Sequence, residues 1–181
     1  MEVKEFHIKG PLLITPKVFS DDRGYFTETF KKSTLEALGI HSDFFQDNQS
    51  LSQKNVLRGL HFQEPPHAQG KFVRVLTGKV MDVIVDIRKN SPTYGEHLKV
   101  ILDAEEKRML WVPEGFAHGF LTLENNTLFL YKCTNEYNKE SENGLMWNDP
   151  KLNIDWGLTE NPLMSEKDLV FQPFENFVSK F

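Results

Sequence analysis

The chain has 181 residues, of which 39% are hydrophobic and 26% are charged, a composition typical of one soluble globular domain. Its formal net charge of -5 argues against a nucleic-acid-binding surface. The single cysteine, Cys133, excludes an intrachain disulfide and a cysteine-based zinc site, and no apolar stretch reaches membrane-spanning length. We therefore expect one domain over residues 1–181, located in the cytoplasm, with no nucleic-acid or membrane partner.

A short helix is the first element that the sequence predicts. Ser33 and Glu36 have the spacing of a capping box, in which each side chain caps the other residue's backbone N–H. Gly39 stands where a glycine of left-handed conformation would end the helix. We expect about two helical turns here.

Strands dominate the middle of the chain. Five segments rich in Val, Ile, Leu and aromatic residues alternate in strand fashion between turns that contain Gly, Asn or Pro: 72–76, 80–87, 98–102, 109–112 and 127–133. Many short strands at regular spacing favour a sandwich or a barrel. We therefore predict an all-β fold, a sandwich or a barrel for which a jelly roll is one arrangement, with a few short peripheral helices and a mouth that can hold a ligand.

Reactive side chains are densest in residues 58–63, RGLHFQ, followed by Lys71. In a regular strand His61 and Gln63 share one face, whereas Arg58 points to the other. Arg58 and His61 can face one pocket only if Gly59 marks a bulge or a twist. Taken alone, His61 is as well explained by a buried, hydrogen-bonded histidine.

A second cluster is residues 113–120, PEGFAHGF, in which Pro and Gly residues shape a turn before His118. The pattern PxGxxH resembles the second motif of the cupin superfamily, and this resemblance implies a cupin-type jelly-roll barrel. Metal-binding cupins carry an HxH pair in their first motif, but this chain has His61-Phe62-Gln63. Two histidines make a poor metal site, so we expect no metal and no cofactor.

Two more residues have ordinary structural explanations when each is taken alone. Tyr131 shares a strand face with Phe129 and Cys133, as a core tyrosine would. Asp168 stands three residues after Ser165, as a carboxylate at a helix start would.

Together with RGLHFQ and PEGFAHGF, ordered blocks along residues 3–170 carry a family resemblance. They include DRGYFTE at 22–28, QDNQS at 46–50, VDIR at 85–88, YKC at 131–133 and SEKD at 165–168. In these blocks the chain resembles the dTDP-4-dehydrorhamnose 3,5-epimerase family. The resemblance implies proton transfer at C3 and C5, the two carbons beside a sugar ketone at C4.

The resemblance also implies roles for the aligned residues. His61 corresponds to the base, Asp168 to the carboxylate that orients it, Tyr131 to the acid on the opposite face, and Lys71 to the cation beside the C4 oxygen. The expected substrate-binding residues are Arg23, Glu28, Gln46, Asp47, Asn48, Arg58, His118, Tyr137, Glu142 and Lys167. The implied partners are a nucleotide-diphospho-4-keto sugar and a second copy of the chain, because the family forms homodimers that exchange strands.

Several functions fit these motifs. The first is 3,5-epimerisation of dTDP-4-dehydro-6-deoxy-D-glucose to dTDP-4-dehydro-L-rhamnose. The same base and enolate site would serve a GDP-4-keto-heptose or a C3-only epimerase, since substrate identity is read by pocket shape. A metal-dependent cupin oxygenase conflicts with the missing HxH pair, and a non-catalytic sugar-binding cupin has no need of a base and acid pair.

Overall fold

The computed structural model describes residues 1–181, and most of its regular secondary structure is β-strand. The helical elements are one α-helix, α1 at Lys32–Ala37, and 3-10 turns at Asp168–Val170 and Phe174–Asn176. The thirteen strands are β1 Glu2–Glu5, β2 Leu12–Thr15, β3 Val18–Asp21, β4 Gly24–Thr27, β5 Gln46–Ser52, β6 Leu57–Gln63, β7 Lys71–Thr77, β8 Lys79–Asp86, β9 His97–Asp103, β10 Met109–Val112, β11 Phe116–Thr122, β12 Thr127–Cys133 and β13 Glu142–Gly144.

Two antiparallel sheets face each other and enclose the main core. The first sheet has the order β1-β2-β10-β7-β12-β5, and the second has the order β13-β6-β11-β8-β9. Strands β3 and β4 form a separate hairpin. Side chains from both sheets meet between them, with Val73 and Phe129 from the first against Ile84 and Phe120 from the second. This arrangement confirms the predicted all-β, cupin-type fold, and every predicted strand is present within one residue at each end.

Smaller apolar clusters cover the outer faces of the two sheets. Helix α1 and the residues after it place Leu35 and Ile40 against Phe72 and Trp111 of the first sheet. Residues 145–181 pack over the outer face of the second sheet with side chains such as Trp156. The C-terminal segment is therefore held against the strand that carries His61.

The capping-box prediction at Ser33 is wrong. The carbonyl of Lys31 accepts the first helical hydrogen bonds, from Thr34 and Leu35, so the helix begins before Ser33 can act as its cap. The predicted end is present, because Gly39 follows the helix with φ of +82°. No helix in the structure is long and apolar enough to cross a membrane.

A bulge in β6 brings Arg58 and His61 to the same side of the sheet. Against β11, His61 pairs with His118 and Arg58 pairs with Phe120, so β6 has one more residue than its partner between these two pairs. Gly59 has φ of +125°, and a Cβ there would lie 2.6 Å from the Gly119 Cα. A residue with a side chain is excluded at this position, because the backbones of β6 and β11 pass too closely.

Candidate active site

The mouth of the barrel holds two connected chambers. The outer chamber has a volume of about 400 Å³ and the inner one about 130 Å³. Only His61, Lys71 and Tyr131 line both, so they stand at the junction. Strand β6 of the second sheet supplies His61, whereas β7 and β12 of the first sheet supply Lys71 and Tyr131. The predicted base and acid therefore come from opposite walls of the barrel.

The carboxylate of Asp168 holds His61 in place. The Nε2 atom of His61 lies 2.7 Å from Asp168 Oδ1, and Oδ2 of the same carboxylate accepts a hydrogen bond from the Gly59 N–H at 3.3 Å. The Asp168 side chain is 4% exposed and that of His61 is 28% exposed. With Nε2–H donating to the carboxylate, Nδ1 is the ring nitrogen left to take a proton.

The pKa shifts of this pair agree with a neutral histidine beside an ionised carboxylate. Burial lowers the pKa of His61 below its usual value of 6.5, although the hydrogen bond to Asp168 and its negative charge oppose this effect. Burial also acts to raise the pKa of Asp168, but hydrogen bonds from His61, the Gly59 N–H and Ser165 outweigh it and lower the pKa. At neutral pH His61 is thus ready to accept a proton.

Lys71 and Tyr131 are perturbed mainly by burial. Burial lowers the pKa of Lys71, and no carboxylate lies within ion-pair distance of its ammonium group. Burial, followed by the nearby Cys133, raises the pKa of Tyr131, so its phenol keeps its proton at neutral pH. Tyr131 can therefore donate a proton, and the Lys71 side chain is a hydrogen-bond donor that has no carboxylate partner in the site.

A second histidine–carboxylate pair lies beneath the junction. His118 borders the inner chamber, and its Nε2 lies 3.0 Å and 2.9 Å from the two carboxylate oxygens of Asp82. Both residues are buried. Sequence reasoning missed Asp82, because the pairing of β8 with β11 that brings it to His118 is seen only in the structure.

The outer chamber brings five of the predicted binding residues together. They are Gln46, Asn48, Tyr137, Glu142 and Lys167. The carboxylate of Glu142 accepts hydrogen bonds from the Tyr137 hydroxyl at 3.0 Å and from the Lys167 ammonium at 2.6 Å. The backbone N–H of Tyr137 donates to Gln46 Oε1 at 2.7 Å. Hydrogen bonds therefore link these five residues to one another along one wall of the chamber.

Two glutamines that sequence reasoning did not assign hold the loop that carries Tyr137. Gln63 donates to the carbonyl of Glu136 and accepts from the Asn138 N–H, while Gln69 donates to the carbonyl of Asn135. A third missed residue is Ser50, which borders the inner chamber with a buried hydroxyl that has no hydrogen-bond partner. Only the QDNQS block pointed to it.

Arg58 and His118 line the inner chamber, but three other predicted binding residues line neither chamber. Asp47 points to the opposite face of β5 from Gln46 and Asn48, where it pairs with Lys132 at 2.9 Å. Glu28 follows the β3–β4 hairpin, and the side chain of Arg23 at the tip is 90% exposed and pairs with Asp21. Asp47 lies outside the chambers because neighbouring side chains of a strand point to opposite faces. Arg23 lies outside them because the hairpin projects away from the barrel.

Larger hollows lie elsewhere on the molecule, but they lack this combination of groups. The largest, about 610 Å³, is an open depression over residues 147–161, where the Asp149 carboxylate already accepts backbone N–H groups of Lys151, Leu152 and Phe174. No group of three or more His, Cys, Asp and Glu side chains is placed to hold a metal ion. The junction of the two chambers is therefore the site at which the structure gathers acid, base and cation.

A histidine held by a carboxylate, facing a protonated tyrosine across a jelly-roll barrel, defines a proton-transferring isomerase of the cupin superfamily. A sequence model of the dTDP-4-dehydrorhamnose 3,5-epimerase family matches residues 5–176. The chain is 51% identical to the enzyme of that name from Shigella flexneri, over 96% of each chain. The protein therefore belongs to the dTDP-4-dehydrorhamnose 3,5-epimerase family.

Solved structures agree with this membership. A dTDP-6-deoxy-D-glucose-3,5-epimerase from Legionella pneumophila, in complex with dTDP-4-keto-L-rhamnose, superposes with a TM-score of 0.94 at 46% identity over 98% of this chain and 94% of that one. A 3'-monoepimerase from Streptomyces bikiniensis, in complex with dTDP-quinovose, gives a TM-score of 0.87 at 30% identity over 93% and 85%. The fold is thus shared by enzymes that invert two carbons and by one that inverts a single carbon.

Proposed function

We propose that residues 1–181 form one nucleotide-sugar 3,5-epimerase domain that converts dTDP-4-dehydro-6-deoxy-D-glucose to dTDP-4-dehydro-L-rhamnose. The observation that carries the proposal is the placement of His61 with Asp168 on one wall of the junction and Tyr131 with Lys71 on the other. The 51% and 46% identities to enzymes named for 3,5-epimerisation, against 30% to the monoepimerase, favour inversion of both carbons.

The geometry supports a mechanism through an enolate. A ketone at C4 makes the C3 and C5 hydrogens acidic, because the carbanion delocalises onto the ketone oxygen. His61 removes a proton from one face, and the Lys71 ammonium stabilises the negative oxygen as it forms. Tyr131 then returns a proton from the other face, which inverts the carbon. Both groups exchange protons with water before the second carbon reacts.

Deuterium incorporation tests this function directly. The purified protein is incubated in D₂O with dTDP-4-dehydro-6-deoxy-D-glucose, and proton NMR follows C3 and C5. We expect solvent deuterium at both carbons and a product of the L-rhamno configuration. Exchange at C3 alone would make the protein a 3-epimerase. Absence of exchange with the dTDP sugar, combined with exchange of a GDP-linked heptose, would transfer the same chemistry to that substrate.

We also propose that the protein is a homodimer in which the β3–β4 hairpin of each protomer completes the partner's site. Three large side chains on this hairpin are mostly exposed, with Phe19, Tyr25 and Phe26 at 52%, 61% and 69%. A cluster of exposed aromatic side chains is typical of a protein–protein interface. Arg23 lies at its tip and would meet the substrate diphosphate in the partner, with Glu28 nearby.

The cytoplasmic location expected from the sequence fits the free thiol of Cys133.

Complementation between two inactive variants tests this arrangement. Arg23→Ala and His61→Asn are each expected to have little activity as homodimers. If Arg23 acts in the partner's site, coexpressed protomers form heterodimers in which one site carries both defects and the other is intact. The mixture should recover about a quarter of the wild-type sites for a symmetric dimer. Recovery no greater than the sum of the two homodimers, or a monomer by light scattering, would contradict the proposal.

A further inference from the structure

We propose that Phe171 is a positioning residue for the base: its ring fixes the orientation of the His61 imidazole and shields it from water. The inference rests on the proposed function, in which His61 accepts the substrate proton. Phe171 is not part of either chamber, and neither the composition nor the motifs of the sequence pointed to it.

The two rings meet edge to face. Their centroids are 5.5 Å apart, and their planes are inclined by 74°. This is the geometry that aromatic pairs prefer, because the positive edge of one ring meets the negative face of the other. Asp168 restrains the imidazole only at Nε2, through the 2.7 Å hydrogen bond. The Phe171 contact restrains rotation of the ring about that bond, which decides where Nδ1 points.

Backbone hydrogen bonds to residues 145 and 146 hold the segment that carries Phe171. The next residue, Gln172, forms a bridge with Leu145, and its carbonyl accepts a hydrogen bond from the Met146 N–H at 2.9 Å. Gly144 pairs with His61 in the sheet, and a Cβ at Gly144 would lie 2.6 Å from Cζ of Phe171. The missing side chain at Gly144 therefore leaves the space that the Phe171 ring occupies beside His61.

The charges around His61 determine the direction in which its pKa would shift if the Phe171 ring were removed. Asp168 raises the pKa of His61, while Lys71 from β7 and Lys167 lower it. Glu142 from β13 also lies near, since His61 lowers its pKa. Burial is the largest influence and lowers the pKa of His61. Removal of the Phe171 ring admits water, so the charged imidazolium becomes less costly and Asp168 pulls the pKa upward.

The test is the pH dependence of deuterium incorporation by wild type, Phe171→Ala and Phe171→Leu. The base acts when it is neutral, so a higher pKa moves the acidic limb of kcat/KM to higher pH. For Phe171→Ala we expect a shift of about one pH unit and a fall in the plateau kcat of about 10-fold, because the base is misoriented. The leucine of Phe171→Leu still excludes water from His61 but makes no aromatic contact with it. We therefore expect kcat to fall, while the acidic limb of kcat/KM shifts less than in Phe171→Ala.

Val170→Ala is the matched control, because Val170 lies in the same segment and is 79% exposed. It should leave both the limb and kcat unchanged. NMR titration of histidine ring nitrogens in the same variants measures the His61 pKa without substrate. The proposal is overturned if folded Phe171→Ala and Phe171→Leu proteins titrate and turn over as wild type does; should the alanine variant fail to fold, Phe171→Leu alone decides. Absence of exchange in wild type would instead refute the proposed function.

Discussion

His61→Asn is expected to lower turnover by about 10²–10⁴-fold, the usual contribution of a positioned general base. Asparagine has no nitrogen that can take up a proton, and its amide leaves a polar group in the cavity beside the buried Asp168 carboxylate, which loses the hydrogen bond from His61 Nε2. Loss of rate can then be attributed to the missing base and not to a damaged fold. The measurement is the initial rate of deuterium incorporation at C3 and C5.

Two further variants sharpen this result. His97→Asn changes a part-buried histidine of β9 that lies outside the site and should retain the wild-type rate. Tyr131→Phe should still exchange protons with solvent through His61 but should return fewer of them to the opposite face. If His61→Asn kept near-normal rates, or if Tyr131→Phe inverted both carbons normally, the assignment of base or acid would be wrong.

Lys71→Met is expected to lower kcat by about 10²–10³-fold, the cost of removing one group that stabilises a developing oxyanion. Methionine is unbranched like lysine and reaches as far as its Cε atom but carries no charge, so the enolate would form in a buried pocket without a counter-charge. Lys79→Met, which removes a half-buried lysine of β8 that lies outside both chambers, is the matched control. An unchanged kcat in Lys71→Met would exclude Lys71 from enolate stabilisation.

The same substitution should make the unliganded protein more stable. Burial lowers the pKa of Lys71 in the folded protein, so below that pKa the buried ammonium disfavours folding. Methionine removes this cost, and Tm should rise by about 2–4 °C for each kcal/mol relieved. The gain should shrink as the pH rises toward 10.5, where the unfolded lysine also loses its proton. A lower Tm in Lys71→Met would show that the amine stabilises the fold.

Alternation and turn residues were sufficient to predict the strands, because each strand buries one face against the core. They also placed Phe129, Tyr131 and Cys133 on one side of β12, as the structure has them. Gly59 is a more demanding case: the sequence required a bulge for Arg58 and His61 to share a pocket, and the register of β6 and β11 contains one.

Contacts between distant segments could not be predicted in the same way. Asp168 contacts His61 across 107 residues of sequence, and only the family resemblance joined them. Asp82 and Phe171 carry no local signal, since an acid in a strand and an aromatic residue near the C-terminus are ordinary features. The helix start at Lys32 was missed because no side chain caps it and the backbone carbonyl of Lys31 accepts its first hydrogen bonds.

The two chambers also differ in how easily evolution can change them. His61, Lys71 and Tyr131 lie on β6, β7 and β12, each of which has a strand on both sides. The outer chamber uses sheet edges, with Gln46 and Asn48 on β5 and Glu142 on β13, and a loop for Tyr137. Edge strands and loops accept substitutions at little cost to the core. Substitutions could therefore reshape the outer chamber, and with it the choice of substrate, while the three residues at the junction stay in place.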